Sequence, residues 1–194
     1  MKEPILYRIT RPIITILFKI VYRPKYIGLE NIPKNGAFIL AGNHTNNLDC
    51  IFLISSTKRT IHFLAKDELI KGPKKIIFKN MGIIPVNRKI HDKGALNNAI
   101  NSLKEDKVIG IFPEGTFNRS TEPILPFKIG AVKMASTTNT DIIPFIITGK
   151  YKIINNNLKI EFLKKESIPN EKDLTSYNEK LMNIISEKLR KENK

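Results

Sequence analysis

Short apolar runs that alternate with helix-like segments constrain the fold of this chain more than any other feature of its sequence. The alternation is typical of α/β domains, in which helices cover a largely parallel sheet. The 194 residues are enough for one well-cored domain and few for two. We therefore predict a single-domain α/β sandwich with a mixed, largely parallel central sheet flanked by helices, plus an N-terminal amphipathic helix.

The runs with the length and composition of buried strands are Lys25–Leu29, Ala37–Ala41, Ile61–Ala65, Ile83–Val86, Val108–Phe112, Ile142–Ile147 and Leu158–Phe162. The segments with helical periodicity are Ile5–Tyr22, Leu48–Ser55, Lys74–Lys79, Lys93–Leu103, Ile129–Ser136 and Leu174–Lys191. In α/β sheets, reactive groups tend to lie on loops just beyond strand ends. His44 and Glu114 both occupy such positions, two to three residues past an apolar run.

The loop after the second predicted strand carries a histidine and an aspartate, His44 and Asp49, five positions apart. An imidazole titrates near neutrality, and a carboxylate beside it holds one tautomer and stabilises the imidazolium. Such a pair activates a weak nucleophile, which here can be a hydroxyl of the substrate. The alternative is an ordinary loop histidine with Asp49 as a helix cap.

A second candidate segment is Phe112-Pro113-Glu114-Gly115-Thr116, at the end of another apolar run. The proline ends the strand, and Gly115 permits a positive φ and a close approach of backbone to ligand. The Gly115 and Thr116 amides are candidate anion donors. Glu114 has two possible roles, because its carboxylate can hold a substrate hydroxyl or order the loop by accepting from backbone amides.

An arginine, the cysteine and two further histidines are the remaining side chains with possible chemical roles. Arg88 follows the predicted strand Ile83–Val86 and can present a guanidinium fork to phosphate. Cys50, the single cysteine, is a candidate acyl carrier but more often a small core residue. His62 and His91 are isolated in the sequence, so we expect structural roles for them, no metal and no bound cofactor.

The N-terminal segment has the pattern of an amphipathic helix. Its polar face comprises Arg8, Arg11, Thr15 and Lys19 at spacings of three and four. Its apolar side comprises Ile5, Leu6, Ile9, Ile13, Ile16, Leu17 and Ile20. Pro12 either kinks this helix or marks its start.

The apolar stretch of this helix is shorter than the roughly 20 residues that cross a bilayer. Residues 1–22 then form either a helix in the membrane interface or a helix packed by its apolar side on its own domain, residues 23–194. We favour the interface, because the apolar arc is wider than core packing requires. The formal net charge of +15 indicates anionic partners, such as phosphorylated substrates, acidic carrier proteins, an anionic lipid surface or nucleic acid. The alternative is that a chain rich in Lys, Asn and Ile reflects biased codon usage.

Taken in order, these segments resemble the blocks of the glycerolipid acyltransferase family, which includes 1-acylglycerol-3-phosphate acyltransferases. His44 and Asp49 match its His-x4-Asp block, Gly82 to Arg88 its second block, and Phe112 to Thr116 its Phe-Pro-Glu-Gly-Thr block. Ile143-Pro144-Phe145 matches a looser fourth block, and Pro126 to Ala131 resembles the segment between the last two. The resemblance extends from about Ile27 to Gly149.

The resemblance implies a role for each matching residue. His44 would be the general base that deprotonates the acceptor hydroxyl, and Asp49 would orient it. Arg88 and the loop of Glu114, Gly115 and Thr116 would hold the glycerol phosphate. The acyl donor would be a thioester of coenzyme A or of an acidic acyl carrier protein, and the enzyme would work at the cytoplasmic face of the cell membrane, peripheral or monotopic.

The sequence departs from the family at one place. The family continues Gly-Thr with Arg-Ser, whereas Thr116 is followed by Phe117-Asn118-Arg119-Ser120. Arg119 either takes the same part through a longer loop or points elsewhere. The acceptor is therefore 1-acylglycerol 3-phosphate or, alternatively, another lysophospholipid, a lysolipid without glycerol phosphate, or glycerol 3-phosphate. A non-catalytic basic module for lipid or nucleic acid is a third possibility, disfavoured because basic residues are not interleaved with aromatic ones.

Overall fold

A computed structural model describes residues 4–70, 81–87, 92–154, 157–171 and 173–192. The strands are β1 (Lys25–Ile27), β2 (Phe38–Gly42), β3 (Ile61–Lys66), β4 (Ile84–Val86), β5 (Val108–Ile111), β6 (Ile142–Thr148) and β7 (Lys159–Phe162). The helices are α1 (Ile5–Tyr22), α2 (Asp49–Ser56), α3 (Lys93–Lys104), α4 (Gly130–Thr138) and α5 (Thr175–Glu192). Short 3₁₀ turns occur at Leu29–Asn31 and Asp67–Ile70.

The seven strands form one sheet in the order β1-β7-β6-β2-β5-β3-β4. Neighbouring strands are parallel except for β6 and β7, which are antiparallel. The predicted α/β class with a mixed, largely parallel sheet is therefore confirmed. The predicted helix Lys74–Lys79 lies outside the described residues.

The sheet lies between two layers of helices, because alternate residues of each central strand point to opposite faces. One apolar cluster joins Ile39 and Ile109 of the sheet to α3, α4 and α5. The other joins Phe38 and Leu40 to α1 and α2. The central strand β2 is buried along its whole length, so its carboxyl end is a rigid base for the loop that follows.

Glycine determines where the edge strand β1 ends. The strand was predicted to run to Leu29 but stops at Ile27, because Gly28 has a φ of +71° and starts the 3₁₀ turn. A Cβ at Gly28 would lie 2.1 Å from the Phe162 carbonyl oxygen. Only glycine therefore allows this turn to pass so close to β7.

Helix α1 has the predicted bounds and contains Pro12 as an interior residue, not as its start. It packs on the domain through Tyr7 and Phe18, and the Tyr7 hydroxyl accepts from the Ile61 amide at 3.2 Å. The alternative in which α1 packs on the domain by its apolar side is wrong, because most side chains of that side form an exposed apolar stripe. Its members, 56–74% exposed, are Ile5, Ile9, Ile13, Ile16, Leu17 and Ile20.

A helix that crosses a bilayer has to be both long and apolar. Within the described ranges, none combines the length and the hydropathy needed to span a membrane.

A buried asparagine joins β2 to β6 just before the candidate site. The Asn43 side-chain amide donates to the Ile147 carbonyl at 2.9 Å, and its oxygen accepts from the Ile147 amide at 2.7 Å. The side chain thus extends the pairing of the two strands beyond Gly42. Because Asn43 is only 3% exposed, water cannot replace it.

We expect Asn43→Ala to lower the free energy of unfolding by about 2–4 kcal/mol, since it leaves one buried donor and one buried acceptor unpaired. Urea denaturation followed by circular dichroism measures the change. Asn47→Ala, an exposed asparagine of the same loop, is the matched control and should stay within about 0.5 kcal/mol of the parent. Equal losses in the two variants would contradict this role for Asn43.

Candidate active site

The sharp connection from β2 to α2 brings His44 and Asp49 together. His44 leaves the end of β2, and Asp49 is the first residue of α2. The His44 Nδ1 and Asp49 Oδ2 atoms are 2.9 Å apart. The Asp49 side chain is fully buried, whereas 12% of the His44 side chain is exposed. The contact predicted from the spacing of these residues is therefore present.

The buried Asp49 carboxylate is surrounded by donors. Oδ2 also accepts from the backbone amides of Thr45 and Asn46, at 2.7 and 2.8 Å. Oδ1 accepts from the Tyr151 hydroxyl at 2.5 Å and from the Thr45 hydroxyl at 3.3 Å. These donors, together with the start of α2, stabilise negative charge in a place that water does not reach. Asp49 accepts from Nδ1, so the lone pair of the His44 ring is on Nε2.

Two phenylalanines hold the His44 ring. Phe112 stacks on it with a centroid distance of 3.8 Å and an angle of 10° between the planes. Phe117 meets it at 4.3 Å and 50°. Phe117 follows Thr116 directly, at the point where the sequence departs from the family pattern. The residue at the point of departure therefore touches the candidate base itself.

Glu114 joins two loops to the site through its carboxylate. Oε1 accepts from the His44 backbone amide and Oε2 from the Leu125 amide, each at 2.8 Å. Of the two roles predicted for Glu114, this geometry supports the ordering of loops. Burial raises the pKa of the Glu114 carboxyl, and the amides of Leu125 and His44 oppose that rise.

The predicted phosphate-binding residues have different surroundings. The Gly115 amide donates to the Phe112 carbonyl at 2.9 Å, so it closes the turn and is not directed at an anion. Thr116 and Arg119 are exposed on the loop beyond it. Arg88 lies outside the described residues. The structure thus brings His44, Asp49 and Glu114 into contact. The Gly115 amide is already used within the turn, and the substrate roles of Thr116, Arg119 and Arg88 stay predictions.

A cation that sequence reasoning did not assign lies over this turn. The Lys128 Nζ atom is 3.0 Å from the position that a Cβ on Gly115 would occupy. The Lys128 backbone amide donates to the Pro113 carbonyl at 2.9 Å, which holds this segment against the turn. The signal was present in the resemblance of Pro126 to Ala131 to the family. Asn43 and Tyr151 were missed as well, since no local pattern identifies them.

Cys50 is a poor candidate for an acyl carrier. Burial, assisted by the charge of Asp49, raises the pKa of its thiol to about 12. The reactive form of a cysteine is the thiolate, which burial and a neighbouring anion both disfavour. Cys50 is partly buried and packs against the apolar cluster that joins the sheet to α1 and α2, which supports its interpretation as a small core residue.

Comparison with known proteins identifies the family. The model of the acyltransferase family matches residues 23–148, which include the His44–Asp49 pair and the Glu114 loop. The chain belongs to the acyltransferase family.

Relatives of this acyltransferase include two bacterial proteins named 1-acyl-sn-glycerol-3-phosphate acyltransferase. The protein from Borreliella burgdorferi is 41% identical over 120 residues, which are 60% of this chain and 48% of that protein. The protein from Bacillus subtilis is 32% identical over 127 residues, which are 64% of this chain and 62% of that protein. The matched part thus spans about half of the first relative and less than two thirds of the second.

A solved structure has the same fold. The crystal structure of the 1-acyl-sn-glycerophosphate (LPA) acyltransferase PlsC from Thermotoga maritima superposes with a TM-score of 0.79. The superposed part is 96% of this chain and 81% of the PlsC chain, and the two sequences are 20% identical. The seven-stranded sheet and its flanking helices are therefore the architecture of that enzyme as well.

We expect Cys50 of this acyltransferase to resist alkylation. With a pKa of about 12, roughly one thiol in ten thousand is ionised at pH 8. Iodoacetamide should therefore modify the native protein roughly a thousandfold more slowly than the protein unfolded in guanidinium chloride. Because there is one cysteine, a single mass increment reports the reaction. Equal rates in the two states would show a reactive native thiol.

Proposed function

We propose that this protein transfers an acyl group from a thioester to the sn-2 hydroxyl of 1-acyl-sn-glycerol 3-phosphate, giving phosphatidic acid. The observation that carries the proposal is the pair His44–Asp49, with Nδ1 bound to a buried carboxylate. Nε2 has no hydrogen-bond partner among the residues that the structure describes. Such a nitrogen can take a proton from a hydroxyl brought to it.

The proposed reaction has two steps, and His44 transfers a proton in each of them. His44 Nε2 removes the proton of the acceptor hydroxyl as its oxygen attacks the thioester carbonyl. The tetrahedral intermediate then collapses and the C–S bond breaks. The leaving thiolate takes the proton from the imidazolium, so His44 returns to its neutral form. Asp49 stabilises the imidazolium between these steps and keeps the ring in one orientation. No covalent bond to the enzyme is formed.

The acceptor phosphate calls for cations near the histidine. Lys128 beside Gly115 supports this role, and Arg119, Thr116 and Arg88 remain candidates for it. The protein's net charge of +15 also favours anionic partners, which include coenzyme A thioesters and an acidic acyl carrier protein. The proposed chemistry requires no metal or other cofactor.

Phe117 supports a second candidate acceptor. Its ring lies against His44, at the position where the family has an arginine. An apolar group at this position suits an acceptor with less charge near the reacting hydroxyl, such as a lysolipid without glycerol phosphate. The family chemistry stays the same, and only the molecule that supplies the hydroxyl differs.

We place the protein at a membrane surface, peripheral or monotopic, at the cytoplasmic face. The support is the exposed apolar stripe of α1, which the exposed basic residues Arg8 and Lys19 border along one side. An apolar face bordered by cations suits the boundary between acyl chains and anionic headgroups. The acceptor and the product are lipids, so binding there would also bring the site to its substrates.

A panel of acceptors with one acyl-thioester donor tests the reaction. We expect acylation of 1-acylglycerol 3-phosphate to exceed that of neutral lysolipids, lysophosphatidylcholine and glycerol 3-phosphate. Preference for a neutral lysolipid would favour the second candidate. Thioester turnover with none of them, together with salt-sensitive nucleic-acid binding, would contradict both and favour a binding module.

We expect Asp49→Asn to lower kcat by roughly 10²- to 10⁴-fold. The amide would donate to Nδ1 and leave the proton on Nε2, where no base then remains. Asp106→Asn is the matched control, because Asp106 is exposed with a φ of +57° that asparagine tolerates. Thioester release monitored by a thiol reagent gives the rates, and equal rates in the two variants would refute the role of Asp49.

We expect the double variant Ile13→Glu/Leu17→Glu to lose affinity for anionic phospholipid vesicles by roughly a hundredfold or more, because two apolar side chains no longer enter the interface. Vesicle co-sedimentation measures the affinity. Asn97→Glu/Asn98→Glu adds the same charges to exposed positions of α3, on the other side of the sheet, and should bind as the parent does within about tenfold. A parent protein that never sediments with vesicles would refute the membrane proposal.

A further inference from the structure

We propose that Tyr151 is a positioning residue of the His44–Asp49 pair, which holds the Asp49 carboxylate in place and connects it to helix α1. The inference rests on the proposed function for its meaning in catalysis. The contact itself stands on geometry, because the Tyr151 hydroxyl lies 2.5 Å from Asp49 Oδ1. Tyr151 follows β6, 102 positions from Asp49 along the chain.

The two oxygens of Asp49 have different partners. Oδ2 accepts from His44 Nδ1 and from two backbone amides of its own loop. In the described part of the chain, Oδ1 has one short donor, Tyr151, and a longer contact to the Thr45 hydroxyl at 3.3 Å. The hydrogen bond from Tyr151 therefore restrains rotation of the Asp49 carboxylate about its Cβ–Cγ bond. This rotation determines where Oδ2 lies relative to the His44 imidazole.

The Tyr151 hydroxyl is suited to donate and not to ionise. Burial, and then the negative charge of Asp49, raise the pKa of this phenol well above its usual range. It therefore keeps its proton at every pH at which the enzyme would work. The hydrogen bond that Tyr151 donates also withdraws negative charge from the Asp49 carboxylate. Asp49 therefore stabilises the His44 imidazolium less strongly than it would without Tyr151.

The ring of Tyr151 is held by the two helices on its face of the sheet. It meets Phe18 and Tyr22 of α1 edge-on, at centroid distances of 6.4 and 5.7 Å, and Phe52 of α2 at 6.5 Å. The Ile154 amide also donates to the Val21 carbonyl, which ties the same loop to α1. One side chain thus connects the candidate catalytic carboxylate to the helix whose other face carries the exposed apolar stripe.

Other titratable groups near the pair are Glu114, Cys50 and Tyr22. Glu114 accepts from the His44 backbone amide, Cys50 adjoins Asp49, and Tyr22 packs against the Tyr151 ring. All three remain in a Tyr151→Phe variant. A change in pH dependence in that variant is therefore attributable to the lost hydroxyl.

Tyr151→Phe tests the inference, with Tyr26→Phe as the matched control. Tyr26 also packs on Phe52, at 5.4 Å, and its hydroxyl shares a 2.7 Å hydrogen bond with Ser55, away from the pair. For Tyr151→Phe we expect a roughly tenfold lower kcat with KM within about twofold of the parent. The acid limb of kcat/KM should move to higher pH by roughly half a unit, because a more negative Asp49 stabilises the imidazolium.

Two further measurements keep the inference testable if the variant folds poorly or the parent has no acyltransferase activity. Incorporation of 3-fluorotyrosine at position 151 keeps the ring and strengthens the donor, so the acid limb should move to lower pH. NMR titration of the His44 imidazole, assigned with His44→Ala, needs no substrate. Its midpoint should move to higher pH in Tyr151→Phe and to lower pH in the 3-fluorotyrosine protein. A parent without acyl transfer would refute the proposed function alone. Identical His44 titrations in the parent and both Tyr151 variants would refute the positioning role.

Discussion

The hydrogen bonds to the buried Asp49 carboxylate are the interaction on which the rest of the site depends. An ion with no exposed surface stays charged only if donors replace the water it has lost. Those donors come from the ring of His44, the amides of Thr45 and Asn46, and the hydroxyl of Tyr151. Because these donors must surround the carboxylate, the loop between β2 and α2 folds tightly around Asp49. The tight loop places the His44 imidazole against the carboxylate.

The sheet provides the fixed frame for that loop. Asn43 bonds the end of β2 to Ile147 of β6, and Glu114 bonds the loop after β5 to the His44 backbone. The side chains of Asn43 and Glu114 thereby join the ends of three adjacent strands, and both act at His44 or at the residue before it. Because each of these side chains uses both ends of its polar group on backbone partners, the histidine is held before any substrate arrives. Such preorganisation is what general-base chemistry requires of a site.

The fold and the central pair were readable in the sequence because both are encoded locally. Each buried strand carries its own apolar run, and a five-residue spacing lets His44 and Asp49 meet through one turn. The contacts of Asn43 with Ile147 and of Tyr151 with Asp49 span 104 and 102 positions. They depend on β2 lying beside β6, which apolar runs do not encode. The exposed stripe of α1 was predicted from periodicity, whereas the aromatic residues that seat this helix on the domain were not.

The central claim is that a hydroxyl of the acceptor is deprotonated by His44 without a covalent enzyme intermediate. His44→Ala removes the base and leaves the Glu114 bond to the backbone of residue 44 in place, so the fold should persist. Acyl-thioester turnover with 1-acylglycerol 3-phosphate, measured beside the urea unfolding midpoint, tests the claim most directly. The account predicts a loss of roughly 10²- to 10⁴-fold in kcat with a midpoint close to that of the parent. Undiminished turnover in a folded His44→Ala protein would contradict it.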